Sequence, residues 1–241
     1  MKNDPGLIDA ADREVSRVKG AAADFKKRIL IVEDYPMVRE GLRDLVNREE
    51  DLVVCAEADC ARDALAAVKT CEPDLAIVDL SLKESHGMEL IKDIKAQSAK
   101  VQVLVVSRHD EDLYARRALQ AGAKGYIDKQ KATTHIMTSI RKVLGGEIYL
   151  SEKMTSRVLG DMASNRPGPV GTPVDSLSDR ELQVLEGIGH GRNMREIAEQ
   201  LHLQVKTTQT YRARILRKLG LNNAAELSRY AEQWGENLLS I

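Results

Sequence analysis

The stretch Ile29-Leu30-Ile31-Val32-Glu33-Asp34 is an apolar run that ends abruptly on two carboxylates, and the rest of the chain repeats its logic. Leu75-Ala76-Ile77-Val78 ends on Asp79, Val101 to Val106 ends on Ser107, and Gly125-Tyr126-Ile127 is followed closely by Lys129. Short continuous apolar runs fit strands buried on both faces, as in a parallel sheet. The carboxyl ends of parallel strands share one edge, so these polar residues can meet in one crevice. Outward from the runs, beginning near Ile29, Leu52, Leu75, Val101 and Gly125, lie amphipathic stretches near Pro36 to Arg48, Ala61 to Lys69, Met88 to Lys95, Glu111 to Ala121 and Thr133 to Leu144. Five such βα units predict an α/β domain with a doubly wound, five-stranded parallel sheet.

Three carboxylates, a hydroxyl and an ammonium in one crevice suit Mg²⁺-dependent phosphoryl transfer to a carboxylate. Glu33, Asp34 and Asp79 offer the hard oxygen ligands a small divalent cation needs, and the cation offsets phosphoryl charge that would repel an aspartate nucleophile. Asp79 is the expected nucleophile. Ser107 can hydrogen-bond a phosphoryl oxygen, and Lys129 supplies a compact point charge. Strand ends often carry solvated acids and lysines, but the whole set in this order argues for a site.

At these residues the chain resembles the receiver domain of two-component response regulators. The matching pieces are Ile31-Val32-Glu33-Asp34, Ile77-Val78-Asp79-Leu80, Val105-Val106-Ser107 and Gly125-Tyr126-Ile127-Asp128-Lys129, within about Lys27 to Gly146. The resemblance implies a flavodoxin-like fold in which Asp34, Asp79 and the Ser81 carbonyl bind Mg²⁺ and Glu33 assists through water. It further implies that Asp79 accepts phosphate, that Ser107 and Tyr126 form a switch, and that a sensor histidine kinase is the donor. Lys83 stands where most receivers have Pro, which bears on the stiffness of the loop after the acceptor.

The chain has 241 residues, enough for two domains, and a net charge of −1, so bulk charge names no partner. Cys55, Cys60 and Cys71 form no CxxC pair, which fits reduced thiols in a cytoplasmic protein. No apolar run reaches the roughly 18 residues of a membrane span, and the first turns of the chain lack a signal peptide's apolar core. The expected division is an amino-terminal extension over 1–26, a receiver-like domain over 27–146, a linker with a short helix near Ser151 to Met162 over 147–174, and a helical domain over 175–241. Pro and Gly density marks Asn165 to Pro173 as the linker proper.

In the helical domain, Ser178-Asp179-Arg180-Glu181 has the spacing of a capping box. The helix that starts there is expected to break across Gly187 to Gly191. A short helix from Met194 to Leu201, a turn at His202-Leu203-Gln204 and a longer helix from Val205 to Leu219 complete a helix-turn-helix. At 100° per residue Thr208, Ile215 and Leu219 share one side of the last of these, while Gln209, Thr210, Ala213, Arg214 and Arg217 lie opposite. Five Lys or Arg and no Asp or Glu fall between Lys206 and Lys218, a local concentration of positive charge suited to a major groove.

This segment is similar to the LuxR-type helix-turn-helix, on Leu177-Ser178-Asp179-Arg180-Glu181, Val184-Leu185, Glu196-Ile197-Ala198 with Leu201, Lys206-Thr207 and Ile215-Leu216-Arg217-Lys218-Leu219. Joined to a receiver, it places Lys27 to Trp234 with the NarL/FixJ response regulators, and so implies double-stranded DNA as a partner and a homodimer on activation. The family's geometry puts Gln209, Thr210 and Ala213 toward base edges, whereas Lys206, Thr207, Arg214 and Arg217 suit phosphates. Asn193-Met194, Thr208 and Tyr211 depart from the common residues, so no target sequence carries over. The last helix, Ala224 to Trp234, fits a dimerisation surface and plain core packing alike. Two rivals remain: a phosphorylation-independent regulator with an atypical receiver, and an aspartate-nucleophile phosphohydrolase. Against the second, Asp79-Leu80-Ser81 lacks the second Asp of that class and follows the third strand; against the first, all five site positions are filled.

Overall fold

The computed structural model describes residues 26–82, 86–163 and 173–239. The amino-terminal extension up to residue 25, Lys83 and the linker over 164–172 fall outside the described residues. Strands β1 (Lys27–Val32), β2 (Leu52–Ala58), β3 (Leu75–Val78), β4 (Gln102–Ser107) and β5 (Gly125–Asp128) form one parallel sheet in the order β2-β1-β3-β4-β5. Helices α1 (Pro36–Asn47), α2 (Ala61–Cys71), α3 (Gly87–Gln97), α4 (Glu111–Ala121) and α5 (Lys129–Leu144) connect and follow the strands.

The alternation of side chains along each strand divides the core between two layers. Ile29, Ile31, Leu104, Val106 and Ile127 face Leu42 and Val46 of α1 and Ile136, Ile140 and Val143 of α5. Leu30, Val32, Val103 and Val105 face α2, α3 and α4 through Val68, Ile91, Ile94 and Ala118. The strand order reverses between β1 and β3, so the crevice opens where Glu33-Asp34 and Asp79 emerge side by side. At the outer edge, Ile29 pairs with Val54 and Leu30 with Ala56, which leaves Cys55 as a β-bulge. At the other edge Tyr149 covers β5, accepting from the Tyr126 amide at 2.9 Å and donating to the Lys124 carbonyl at 2.9 Å.

Helix α5 begins four residues before the pattern of apolar positions suggests, because Asp128 caps it by accepting from the Gln130 amide at 2.9 Å. Lys129 is thereby the first residue of a helix. Helix α6 (Glu152–Ala163) follows, and a 3₁₀ turn (Pro173–Ser176) leads into α7 (Asp179–Gly189), α8 (Met194–Gln200), α9 (Val205–Leu219) and α10 (Ala224–Leu239). The capping box at Ser178 and Glu181 is complete, and a second one joins Asn193 to Glu196. The expected break across Gly187 to Gly191 is there, with the helix ending at Gly189. Gly187 and Gly189 are also where the helix meets its neighbours: a Cβ on Gly187 would lie 2.7 Å from Ile197, and one on Gly189 2.7 Å from the Ala231 carbonyl oxygen. Among the described residues no helix is long and apolar enough to cross a membrane.

Gly87 is held by a closer approach. A Cβ there would lie 2.3 Å from the Asp79 carbonyl oxygen and 2.5 Å from Leu80 Cα, both backbone atoms that cannot swing aside. Gly87→Ala is therefore expected to lower stability by about 1–3 kcal/mol. Gly41→Ala, with nothing within 4 Å, should be neutral or stabilising by about 0.5–1 kcal/mol. Equal urea midpoints for the two variants would show that the loop gives way and that the contact is unimportant.

Candidate functional site

Each residue of the crevice arrives from the end of a different strand. Glu33 and Asp34 leave β1, Asp79 leaves β3, Ser107 ends β4, and Lys129 opens α5 just past β5. Glu33, Asp34, Asp79 and Ser107 are all buried. One oxygen from each of the three carboxylates lies within 4.8 Å of the others. Lys129 Nζ bridges two of them, at 2.7 Å from Asp79 Oδ2 and 2.7 Å from Glu33 Oε2. Asp79 Oδ1 is buried with no hydrogen-bond partner among the described residues. A buried anionic oxygen left without a donor, beside two more carboxylates, is what a hard divalent cation would satisfy. The donor set therefore fits Mg²⁺, with Glu33, Asp34 and Asp79 as the side chains that would hold it.

The electrostatics follow from crowding. Burial first, and then the neighbouring Asp79 charge, raise the pKa of Glu33 above the ordinary carboxylate range against the opposing pull of Lys129. Burial disfavours the Lys129 ammonium, but Asp79 and Glu33 outweigh it and hold its pKa above the usual lysine value. Glu33 is fixed by the Tyr35 amide, which donates to Oε1 at 3.2 Å, while Arg39 donates to the Glu33 carbonyl at 2.6 Å. The exposed Tyr35 ring lies 5.9 Å from Lys129 Nζ and 5.5 Å from Arg108 Cζ, which lines the mouth with positive charge.

Ser107 Oγ accepts from the His109 amide at 3.3 Å. Tyr126 is already inside the protein, 1% exposed, and its hydroxyl donates to the His109 carbonyl at 2.8 Å. Ser81 lies at the rim, with Oγ 3.0 Å from His109 Nε2. His109 has no periodic or motif signal, and only packing reveals it as a neighbour of three site residues.

In the helical domain the two faces of α9 separate. Thr208 and Ile215 are buried, whereas Lys206, Gln209, Thr210, Ala213, Arg214 and Arg217 are exposed and Thr207 is partly so. Gln204, Lys206, Thr207, Thr210, Tyr211 and Arg214 line one shallow groove on that side. Lys218, exposed but off that outer face, lies 2.6 Å from Glu181 Oε2 and donates to the Ser176 carbonyl at 2.9 Å. In the last helix Leu227 and Ala231 are buried against the rest of the domain, while Ala224, Ala225, Arg229 and Glu232 remain exposed.

Comparison with known proteins fits this geometry. Residues 29–141 match the response regulator receiver domain, and residues 175–231 match the luxR family of bacterial regulatory proteins. The chain is 31% identical over 207 residues to the response regulator UvrY of Escherichia coli K12, covering 86% of this chain and 94% of that protein. It is 32% identical over 208 residues to the oxygen regulatory protein NreC of Staphylococcus aureus, covering 85% and 96%. Among solved structures it resembles a LuxR-family two-component response regulator from Aurantimonas sp. SI85-9A1, with a TM-score of 0.53 and 29% identity over 57% of this chain and 99% of that one. RcsB from Salmonella enterica serovar Typhimurium, at 24% identity, shares the fold with a TM-score of 0.56 over 86% of this chain and 98% of that one. The chain belongs to the NarL/FixJ family of response regulators, a receiver domain joined to a LuxR-type DNA-binding domain.

The Glu181–Lys218 pair yields a pH test. Burial of Glu181 raises its pKa, but Lys218 and the Ser178 amide outweigh that and leave it below the ordinary 4.5. A depressed carboxylate contributes stability that is complete above its unfolded pKa and is lost as pH falls through the lower folded value. Lys218→Met is thus expected to lower stability by about 1–2 kcal/mol at pH 7. The difference from wild type should close as thermal melts are taken progressively below the ordinary 4.5, and a gap independent of pH would remove the pair from the account.

Proposed function

We propose that the protein is a transcription regulator whose DNA binding is controlled by Mg²⁺-dependent phosphorylation of Asp79, with a sensor histidine kinase as donor. The observation that carries this reading is the state of the Asp79 carboxylate: one oxygen on Lys129, the other buried and without a donor among the described residues, with two further carboxylates within 4.8 Å. An Asp79 oxygen attacks the phosphorus of a phosphohistidine, the O–P bond forms as the N–P bond breaks, and the imidazole leaves with the bonding pair and takes a proton from solvent. Bound Mg²⁺ supplies charge neutralisation to the transferring phosphoryl group. In this reading Lys129 exchanges its Glu33 contact for a phosphoryl oxygen, and the Ser107 hydroxyl, at the end of the neighbouring strand, donates to another.

Glu33, Asp34, Asp79 and the Ser81 carbonyl are the expected metal ligands, direct or through water. On the output side, Gln209, Thr210 and Ala213 are assigned to base edges, and Lys206, Thr207, Arg214 and Arg217 to phosphates. A homodimer formed on activation, in the cytoplasm, would set two α9 helices in major grooves about one helical turn apart. Asp79 serves here as an acceptor; a phosphohydrolase is disfavoured because Ser81 occupies the place of that class's second carboxylate.

Two measurements test the reading. Asp79→Asn removes the nucleophile with almost no change of volume, so Mg²⁺-dependent incorporation of phosphate from a small phosphodonor should vanish while the fold survives. Persistent acid-labile phosphate in that variant would place the acceptor elsewhere. On DNA, Gln209→Ala should cost about 1–3 kcal/mol on a specific duplex and little on a scrambled one. Arg217→Ala should weaken both alike and reduce the salt slope by about one unit. Equal losses on both duplexes for Gln209→Ala would take Gln209 out of the base-reading set.

A further inference from the structure

Two cysteines outside the carboxylate crevice meet at the outer edge of the sheet. The Cys71 thiol, on the last residue of α2, donates to the Cys55 carbonyl at 3.6 Å. The carbonyl carbon and Cβ of a residue share one Cα, so this contact brings the Cys71 sulfur to the root of the Cys55 side chain. An irregularity in the strand arranges the meeting. Strict alternation would set Val54 and Ala56 on one face, yet Val54 packs with the α1 and α5 layer and Ala56 with the layer of α2, α3 and α4. Cys55 is the extra residue between them, left without a partner in the β1 ladder and set against the end of α2.

Both residues stand where regular structure gives way. Cys55 forms the bulge, and Cys71 closes a helix whose next residue, Glu72, turns into the left-handed region at φ 43°. A bulge and a helix end yield more readily than the interior of either element. All three cysteines are free and half-buried, so an oxidant in solvent reaches them. Burial first, and then the nearby Cys71 thiol, push the Cys55 thiol above its ordinary pKa against the pull of Arg28. Cys55 is therefore the thiol that keeps its proton, and the first attack on an oxidant falls to Cys71. Cys60 takes no part in the pair, because it precedes the opposite end of α2, roughly 16 Å from Cys71 along the helix.

We propose that Cys55 and Cys71 form an oxidation site, closed by a peroxide into an intramolecular disulfide that staples the bulge of β2 to the end of α2. The Cys71 thiolate attacks one peroxide oxygen, an S–O bond forms as the O–O bond breaks, and the departing hydroxide takes a proton to leave as water. Cys71 is then a sulfenic acid. The Cys55 sulfur displaces its hydroxyl, an S–S bond forms as the S–O bond breaks, and the hydroxyl leaves with the Cys55 proton as a second water. Two thiols have lost two electrons and one peroxide has gained them. Disulfides of cytoplasmic proteins are mostly transient and redox-sensing, and accessible ones are readily reduced, so a dithiol restores the resting pair. The site shares no residue with the phosphoacceptor crevice and does not depend on the role of Asp79.

The experiment treats the full chain with a slight excess of hydrogen peroxide, blocks the remaining thiols with N-ethylmaleimide and maps the peptides by mass spectrometry without reductant. The product should join the Cys55 and Cys71 peptides within one chain, carry N-ethylmaleimide on Cys60 alone and revert with dithiothreitol. Its urea midpoint should lie above that of the reduced protein and fall back on reduction, because the bridge restricts the unfolded chain. In Cys55→Ser, dimedone should trap a sulfenic acid on Cys71 and the rise in midpoint should vanish. In Cys71→Ser, loss of the Cys55 thiol should slow by about tenfold or more, since Cys55 keeps its proton. Cys60→Ser should behave as wild type. Bridges through Cys60, bridges between chains, or single cysteines carried to sulfinic acid with the pair unlinked overturn the proposal. So does a wild-type chain whose Cys55 and Cys71 both still take N-ethylmaleimide after peroxide. The wild-type peptide map decides among these outcomes by itself, so a variant that fails to fold does not shield the proposal.

Discussion

The receiver is organised around one electrostatic problem: three carboxylates buried within 4.8 Å of one another. Like charges about 4 Å apart repel by roughly 4 kcal/mol even at an effective dielectric constant of 20. Lys129 answers this by lying between Asp79 and Glu33, at 2.7 Å from each. It does so from the first turn of α5, where the helix dipole disfavours a cation, so its position is dictated by the acids and not by the helix. The same ammonium makes the buried Asp79 carboxylate compatible with its surroundings, so the stability of this corner of the receiver rests on one side chain.

Much of the receiver was legible in the chain because its signals are local. Apolar runs such as Leu75 to Val78 mark strands buried on both faces, and a parallel sheet forces their carboxyl ends onto one edge. That argument brings Glu33, Asp34, Asp79, Ser107 and Lys129 together without any knowledge of loops. Helix starts were less secure where the cap lies inside a strand signal. Asp128 ends β5 and caps α5 at once, and apolar spacing alone begins that helix too late.

What the chain did not disclose depends on contacts between distant segments. Gly187 reads in sequence only as part of the stretch that ends α7, and its close approach to Ile197, which leaves no room for a side chain, has no local signal. Lys218 counts as surface charge in sequence and is exposed, but it is also the partner of the buried Glu181, which no local pattern shows. His109 carries no pattern of its own. Its importance comes from Gln183 and Glu186, more than seventy residues later, and no periodicity connects them.

The bulge at Cys55 has a consequence beyond local geometry. Strand β2 is the open edge of the sheet, where a row of bare amides and carbonyls would invite another chain to add a strand. The extra residue bends that edge, and the Asn47 side chain accepts from the Val54 amide at 3.0 Å, removing one of the groups an incoming strand would need. With Tyr149 covering the opposite margin, the sheet is finished at five strands on both sides. A second chain is thereby denied the simplest way of joining this fold, the addition of a sixth strand at either margin.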